Sequence, residues 1–333
     1  IVSLLVAALP AAAATGGLPV YEYNKEQIEA LKYLNDIRKK AGLGELKLNP
    51  YLTIAAENHA RYNAQNGNTG WPDAHWEEEG KPGFTGVNLG DRVKAAGGKD
   101  ISGSMEVVFN FSSNANATRA VQGWLDTAYH RIPLVDPRAT DFGIARVDGV
   151  VVALTGKTFE VHPKEHFYPY PYDGMTGVGI GFYGGELPDP LAPFGLTKSG
   201  YILTISSIAE MEKVRFRITD SAGNEVPFYQ EYNTYLFPAF ELAYDETYAV
   251  TVNYEVDGVP YQKSWSFKTQ SAPAYWVSDN SRNKVKINGK YVPGISPEPK
   301  IMNGITYVPL RGLFERLNAK VAWDDHTRTA VIA

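Results

Sequence analysis

At 333 residues the chain is too long for one ordinary domain, and it predicts two or three. A hydrophobic fraction of 44%, with 12% aromatic and 21% charged residues, excludes a disordered chain. A net charge of −5 without any Arg/Lys cluster gives no track for nucleic acid, and zero cysteines exclude thiol catalysis, thiolate metal sites and disulfide staples.

The chain opens on IVSLLVAALPAAAATGG, an apolar run followed by small residues, with AAA at 11–13 in the pattern of a signal-peptidase site. Residues 1–15 are therefore expected to be a partial signal peptide, and the protein to be exported to the cell surface or the medium. The run falls short of the roughly 20 residues that span a bilayer, and no other segment approaches that length.

A helical portion follows. Asn24 and Gln27 have capping-box spacing, and Ile28, Leu31, Leu34 and Ile37 share one side of a helix that Gly42 ends. A second helix starts at Asn49–Pro50, carries Leu52, Ala55, Ala56, His59 and Asn63 on one stripe, and ends near Gly67. A third begins near Asn116 and is expected to run through GWLDTAYHR, closing on His130 and Arg131 before Pro133. The long glycine-rich connection between the second and third helices is expected to be functional or to hold short elements of its own. TDFGIARVDGVVVALTGKTFE then predicts a hairpin turning at Asp148–Gly149.

After the connector HPKEHFYPYPYDG the helical period disappears. YILTISS, KVRFRITD, YAVTVNYEV and YQKSWSFKT are strand-like, with Val214, Phe216 and Ile218 on one face and a hairpin at Asp257–Gly258. Such spacing predicts a β-sandwich. A last unit places Asn288–Gly289 and Asn303–Gly304 between short β runs, then a short amphipathic helix and a strand–turn–strand.

Of six histidines, His59 reads as a core or pocket-wall residue, His162 and His166 as linker residues, and His326 as a surface residue. His75 in the long loop and His130 at a helix end remain as candidates. Neither has a partner at metal-motif spacing, and no nucleophile elbow occurs, so any site is assembled across sequence distance.

LKYLNDIRKKAGLGELKLNPYLTIAAENHARYNAQNG resembles the opening of a bacterial CAP-superfamily domain (cysteine-rich secretory, antigen 5, pathogenesis-related), and the likeness covers about residues 22 to 160. The resemblance implies an α/β/α sandwich with a pocket that holds two histidines and two glutamates in eukaryotic members. His75 matches the first histidine. Glu106 stands for the first glutamate without its flanking Gly and Asn, Thr127 stands where the second would be, and the VVVALTGKT strand lacks the second histidine. WLDTAYHR is instead similar to the helix end of bacterial members, Trp-x-x-Ser-Pro-Gly-His-Arg, which makes His130 a pocket residue and Asp126 its neighbour. The expected ligand-binding cleft is therefore His75, Glu106, His130 and Asp126. Two imidazoles and one carboxylate would suit Zn²⁺ with one position open to water, so His75, Glu106 and His130 are also metal-ligand candidates. Without metal the same trio is a polar ligand cleft or an acid–base pair.

TYAVTVNYEVDGVPYQKSWSFKT resembles bacterial immunoglobulin-like modules. VKINGKYV…NGITYVPLRGLFERLNAKVAWDDHTRTAVI resembles the copper amine oxidase N-terminal (stalk) repeat, here without any copper-quinone constellation. The expected organisation is multidomain α+β: signal peptide 1–15, CAP-like domain 16–165, immunoglobulin-like β-sandwich 170–270, linker 271–283 and stalk domain 284–333. The expected function is non-enzymatic, the cleft binding a small molecule, lipid or cell-envelope component. A metal-assisted hydrolase of peptide or glycan, and an adhesion or cell-wall spacer with a relic pocket, are the alternatives.

Overall fold

The computed structural model describes residues 20–272, apart from 69, 71, 111–115 and 164, together with 286–287, 290–291, 300–302, 305–317, 319–324, 327 and 329–332. The expected signal peptide, most of the expected linker and His326 lie outside the described residues.

Helix α1 (Lys25–Lys40) begins on the anticipated capping box: Asn24 Oδ1 accepts from the Gln27 amide at 3.0 Å, and Gln27 Oε1 accepts from the Asn24 amide at 3.0 Å. Its buried face differs from the hydrophobic pattern. Gln27, Ala30, Leu34, Ile37 and Arg38 are buried, whereas Ile28 is 51% exposed. The reason lies in two polar side chains with internal partners. Gln27 Nε2 donates to the Ile144 carbonyl at 2.9 Å, and Arg38 donates to the carbonyls of Gly44, Leu134 and Asp136. Burial pushes the Arg38 guanidinium down to about 10.

Helix α2 (Pro50–Asn66) is fixed at its start by Asn49, whose Oδ1 accepts from the Tyr51 and Leu52 amides and whose Nδ2 donates to Asp141 Oδ1 at 2.9 Å. The helix ends at Gly67, which takes the left-handed conformation that glycine adopts without cost. Its first turn rests against Gly143, where a Cβ would lie 2.3 Å from the Leu52 carbonyl carbon, so only glycine permits the approach.

Four strands form the central sheet: β1 (Lys47–Leu48), β2 (Ser102–Asn110), β3 (Asp141–Val147) and β4 (Val150–Lys157), in the order β1-β3-β4-β2. β1 pairs parallel to β3 and the other neighbours are antiparallel. Asp148 and Gly149 both have positive φ and close the β3–β4 hairpin. Along β4 the side chains alternate between two cores. Val151 and Ala153 join the apolar cluster of α1 and α4 (Ala117–Leu125), while Val150, Val152 and Leu154 join that of α2 and α3 (Leu89–Ala95). Helices thus cover both faces of the sheet, in three layers.

Two four-stranded sheets follow. One has the order β10 (Glu212–Thr219), β13 (Thr247–Val256), β14 (Val259–Thr269), β6 (Met175–Val178). The other has the order β11 (Phe228–Glu231), β12 (Tyr235–Pro238), β9 (Leu203–Ser207), β5 (Phe167–Tyr170). They meet through Phe167 of β5, whose ring lies 5.4 Å from Trp265 and 6.0 Å from Tyr254. Val214 and Phe216 are half-buried and Ile218 is buried, as the alternation in KVRFRITD requires. The apolar cluster on the α1/α4 face runs on without a break into the interior of these sheets.

Toward the C-terminus, three antiparallel pairs stand at 286–287 with 290–291, 300–302 with 305–307 and 321–324 with 329–332. The first two flank the Asn-Gly positions, and a short helix α5 (Leu310–Phe314) precedes the third. Among the described residues no helix is long and apolar enough to cross a membrane.

Candidate functional site

The glycine-rich connection holds a 3-10 turn (Asp73–His75) and α3, and its residues build one edge of a cleft of about 830 Å³. The foundation is α2. His59 and Asn63, one turn apart on its buried stripe, meet the Ala74 carbonyl at 2.8 and 2.9 Å from His59 Nε2 and Asn63 Nδ2. This anchors the turn that presents His75. His75 Nδ1 lies 2.9 Å from Glu106 Oε1 on β2, and Arg92 of α3 donates to Glu106 Oε2 at 2.7 Å and to the His75 carbonyl at 3.2 Å. Behind them His59 Nδ1 lies 2.9 Å from Glu77 Oε1, and Glu77 Oε2 accepts from the Thr85 and Gly86 amides.

Burial alone would raise the Glu106 carboxyl. The His75 hydrogen bond and the charges of His59 and Arg92 outweigh it and hold the group below the usual carboxylate range. Glu77 follows the same pattern, its burial offset by His59, the Thr85 amide and Arg92.

The opposite edge departs from expectation. α4 stops at Leu125, with Asp126 as its C-cap, and His130 stands at the N-cap position of a four-residue helix, Arg131–Leu134. The cause is Glu186, from the segment between β7 (Gly181–Phe182) and its partner β8 (Ser199–Gly200). Its fully buried carboxylate accepts from the amides of Ala128 at 2.7 Å, Tyr129 at 2.7 Å and His130 at 2.9 Å, and sits 2.7 Å from His130 Nδ1. Four donors on one carboxylate favour an open turn over a continued helix. Burial raises the Glu186 carboxyl, but the His130 hydrogen bond and charge hold it below its ordinary value.

His75, Glu106 and His130 all line the cleft, and both histidines also line an adjoining recess of about 200 Å³ with Thr127. Asp126 is placed elsewhere: its Oδ1 accepts from the Tyr201 hydroxyl at 2.9 Å, and it lines neither space. The zinc expectation fits poorly. Glu106 is shared between His75 and a guanidinium, His130 Nδ1 faces Glu186, and among the described residues no group of three or more His, Cys, Asp or Glu is set to hold a metal ion. The arrangement is a hydrogen-bonded polar rim on a cleft whose other lining includes Trp76, Leu89, Ile101 and Val107.

Sequence reasoning missed Glu77, Arg92, Glu186 and Glu231. The one available signal was Asn88, a helix cap ahead of Asp91 that marks α3 and hence Arg92. Glu77 is one of three consecutive glutamates, and Glu186 and Glu231 sit in stretches without any motif.

A three-layer α/β/α domain with a His/Glu cleft defines the class. Residues 31–150 match the family model of the cysteine-rich secretory protein family (CAP), and residues 273–333 match that of the copper amine oxidase N-terminal domain. The chain thus carries a CAP domain followed, at its C-terminal end, by a domain of the second kind. Among solved structures it is similar to an extracellular protein containing an SCP domain from Bacillus anthracis str. Ames, at 20% identity over 40% of each chain with a TM-score of 0.33. It is also similar to a cysteine-rich secretory protein from Staphylococcus aureus subsp. aureus Mu50, at 17% identity over 41% of this chain and 40% of that one, with a TM-score of 0.30. The chain therefore spans well under half the length of either. Among curated proteins no match was found.

Proposed function

We propose that this is an exported modular bacterial protein whose CAP domain, residues 16–165, binds a small molecule, lipid or envelope component and does not catalyse its conversion. The observation that carries the reading is the convergence of His75, Glu106 and His130 on one cleft of about 830 Å³, a size suited to a drug-sized ligand. Apolar lining would bury the body of such a ligand and the polar rim would orient it. The carboxylates there are engaged by Arg92 and backbone amides, which supports binding over hydrolysis.

We read residues 170–270 as an immunoglobulin-like sandwich, supported by the two facing four-stranded sheets, and residues 284–333 as a stalk module. Their role is spacing and attachment at the cell surface. The test is calorimetric titration of the full chain with soluble peptidoglycan fragments and with dodecanoate. One of these is expected to bind, and to lose at least about tenfold in affinity when His75, Glu106 and His130 are all replaced by alanine. Unchanged affinity in that variant overturns the proposal.

A further inference from the structure

Every side chain from Asp126 to Arg131 that reaches outward, Thr127 apart, is held by the second module. Asp126 takes the Tyr201 hydroxyl, and Tyr129 donates to Glu231 at 2.8 Å and lies edge-on to Tyr235 at 5.2 Å. His130 meets Glu186. Arg131, fully buried, donates to the Ile202 carbonyl at 2.8 Å and Thr204 Oγ1 at 3.2 Å, with its guanidinium 4.5 Å from the Tyr170 ring centre. The second module also supplies cleft lining: Leu187, Pro188, Glu231 and Tyr232.

We infer that the CAP cleft is a two-module site in which Glu186 of the second module is the positioning residue for His130. The physical basis is the number and type of donors. Three consecutive amides and one imidazole nitrogen converge on a carboxylate with no exposed surface, so the turn at 128–130 and the ring beside it are fixed together. His75 gets the same service from within its own domain, through Glu106 and Arg92. Among the described residues the carboxylate against His130 Nδ1 is Glu186, from 56 residues downstream. A CAP domain separated from this module would keep His75 in place and lose the geometry of His130.

The inference takes its functional meaning from the cleft as a binding site, but its test needs no ligand, so failure of either reading shows separately. The full chain, labelled uniformly with ¹⁵N, is examined by NMR beside Glu186→Gln, with the histidine ring nitrogens observed directly and amide exchange followed at residues 128–130. The wild-type chain is expected to show a solvent-protected Nδ1–H on His130. In Glu186→Gln that signal should be lost while the His75 signals persist, and exchange at 128–130 should rise about ten- to hundredfold, the range for one charge-assisted hydrogen bond. A wild-type His130 ring that exchanges freely with water overturns the inference, whether or not the variant folds. A folded variant with an unchanged His130 ring and unchanged exchange overturns it as well.

Discussion

The two edges of the cleft solve one problem by different means. At the His75 edge the acceptor is Glu106, seated on a strand and backed by Arg92 and, one layer deeper, by His59 with Glu77. Side chains hold the Glu106 carboxylate there, backbone amides enter only one layer deeper at Glu77, and every participant lies between residues 59 and 106. At the His130 edge the acceptor is Glu186, which is held by backbone amides and arrives from the segment after β7, 56 residues downstream. The first edge is a buried ion network that must stay balanced. The second is a carboxylate in a pocket of N–H groups, whose donors can turn to water if it leaves. Loss of one partner should therefore cost more at the first edge than at the second.

Acid is the broadest way to separate them. Glu77, Glu106 and Glu186 all titrate below the ordinary carboxylate range in the folded chain. An unfolded glutamate takes up its proton near pH 4.3, roughly, so on acidification the unfolded state binds protons first. Stability is fully present above that pH and falls as pH drops through the folded values. Urea unfolding between neutral pH and pH 3 should show this loss. Glu106→Gln and Glu186→Gln should each flatten it in part, and a profile unaltered by both would contradict the assigned partners.

Glu106→Ala tests the first edge directly. It leaves Arg92, which is 1% exposed, with Glu77 at 4.0 Å in place of its 2.7 Å carboxylate partner and should cost about 3–5 kcal/mol in urea unfolding. A loss under 1 kcal/mol, roughly, would mean that the network is not tightly closed. Glu186→Ala should cost less, about 2–3 kcal/mol, because its amide donors lie in a turn that water can enter once the carboxylate is gone. Equal costs would erase the distinction between the edges.

The unequal legibility of the edges has the same origin. Local chemistry was readable: the Asn24 and Asn49 caps, Gly67, and the Asp-Gly hairpins at 148–149 and 257–258 depend on neighbours in sequence. His75 and Glu106 were reachable through the resemblance of the surrounding segments. Ile28 was misplaced because apolar periodicity does not register that Gln27 has a carbonyl waiting on β3. The end of α4 was misjudged for a similar reason. GWLDTAYHR has the composition of a continuing helix, and what opens it is a carboxylate that follows Gly184 and Gly185 in a loop far along the chain. Asp126 followed that error, since one face of a helix that stops at Leu125 does not extend to His130. No spacing rule pairs residues 130 and 186.

The finest test of the comparison is Tyr129→Phe. The substitution keeps the ring, and with it the edge-on contact to Tyr235, and removes only the hydroxyl that donates to Glu231. Glu231 lines the cleft and is half-buried, so once released it regains water; burial together with Glu231 raises the Tyr129 hydroxyl well above its ordinary value, so the phenol stays a donor throughout the working pH range. The expected cost is about 0.5–1.5 kcal/mol. If Leu187, Pro188, Glu231 and Tyr232 form a true wall of the cleft, that small loss should come with a measurable shift in the His130 ring resonances and none in those of His75. Equal shifts at both histidines would mean that the two edges are mechanically one, and that the division between a local side-chain network and a carboxylate from far downstream describes their origin in the chain without describing how they respond.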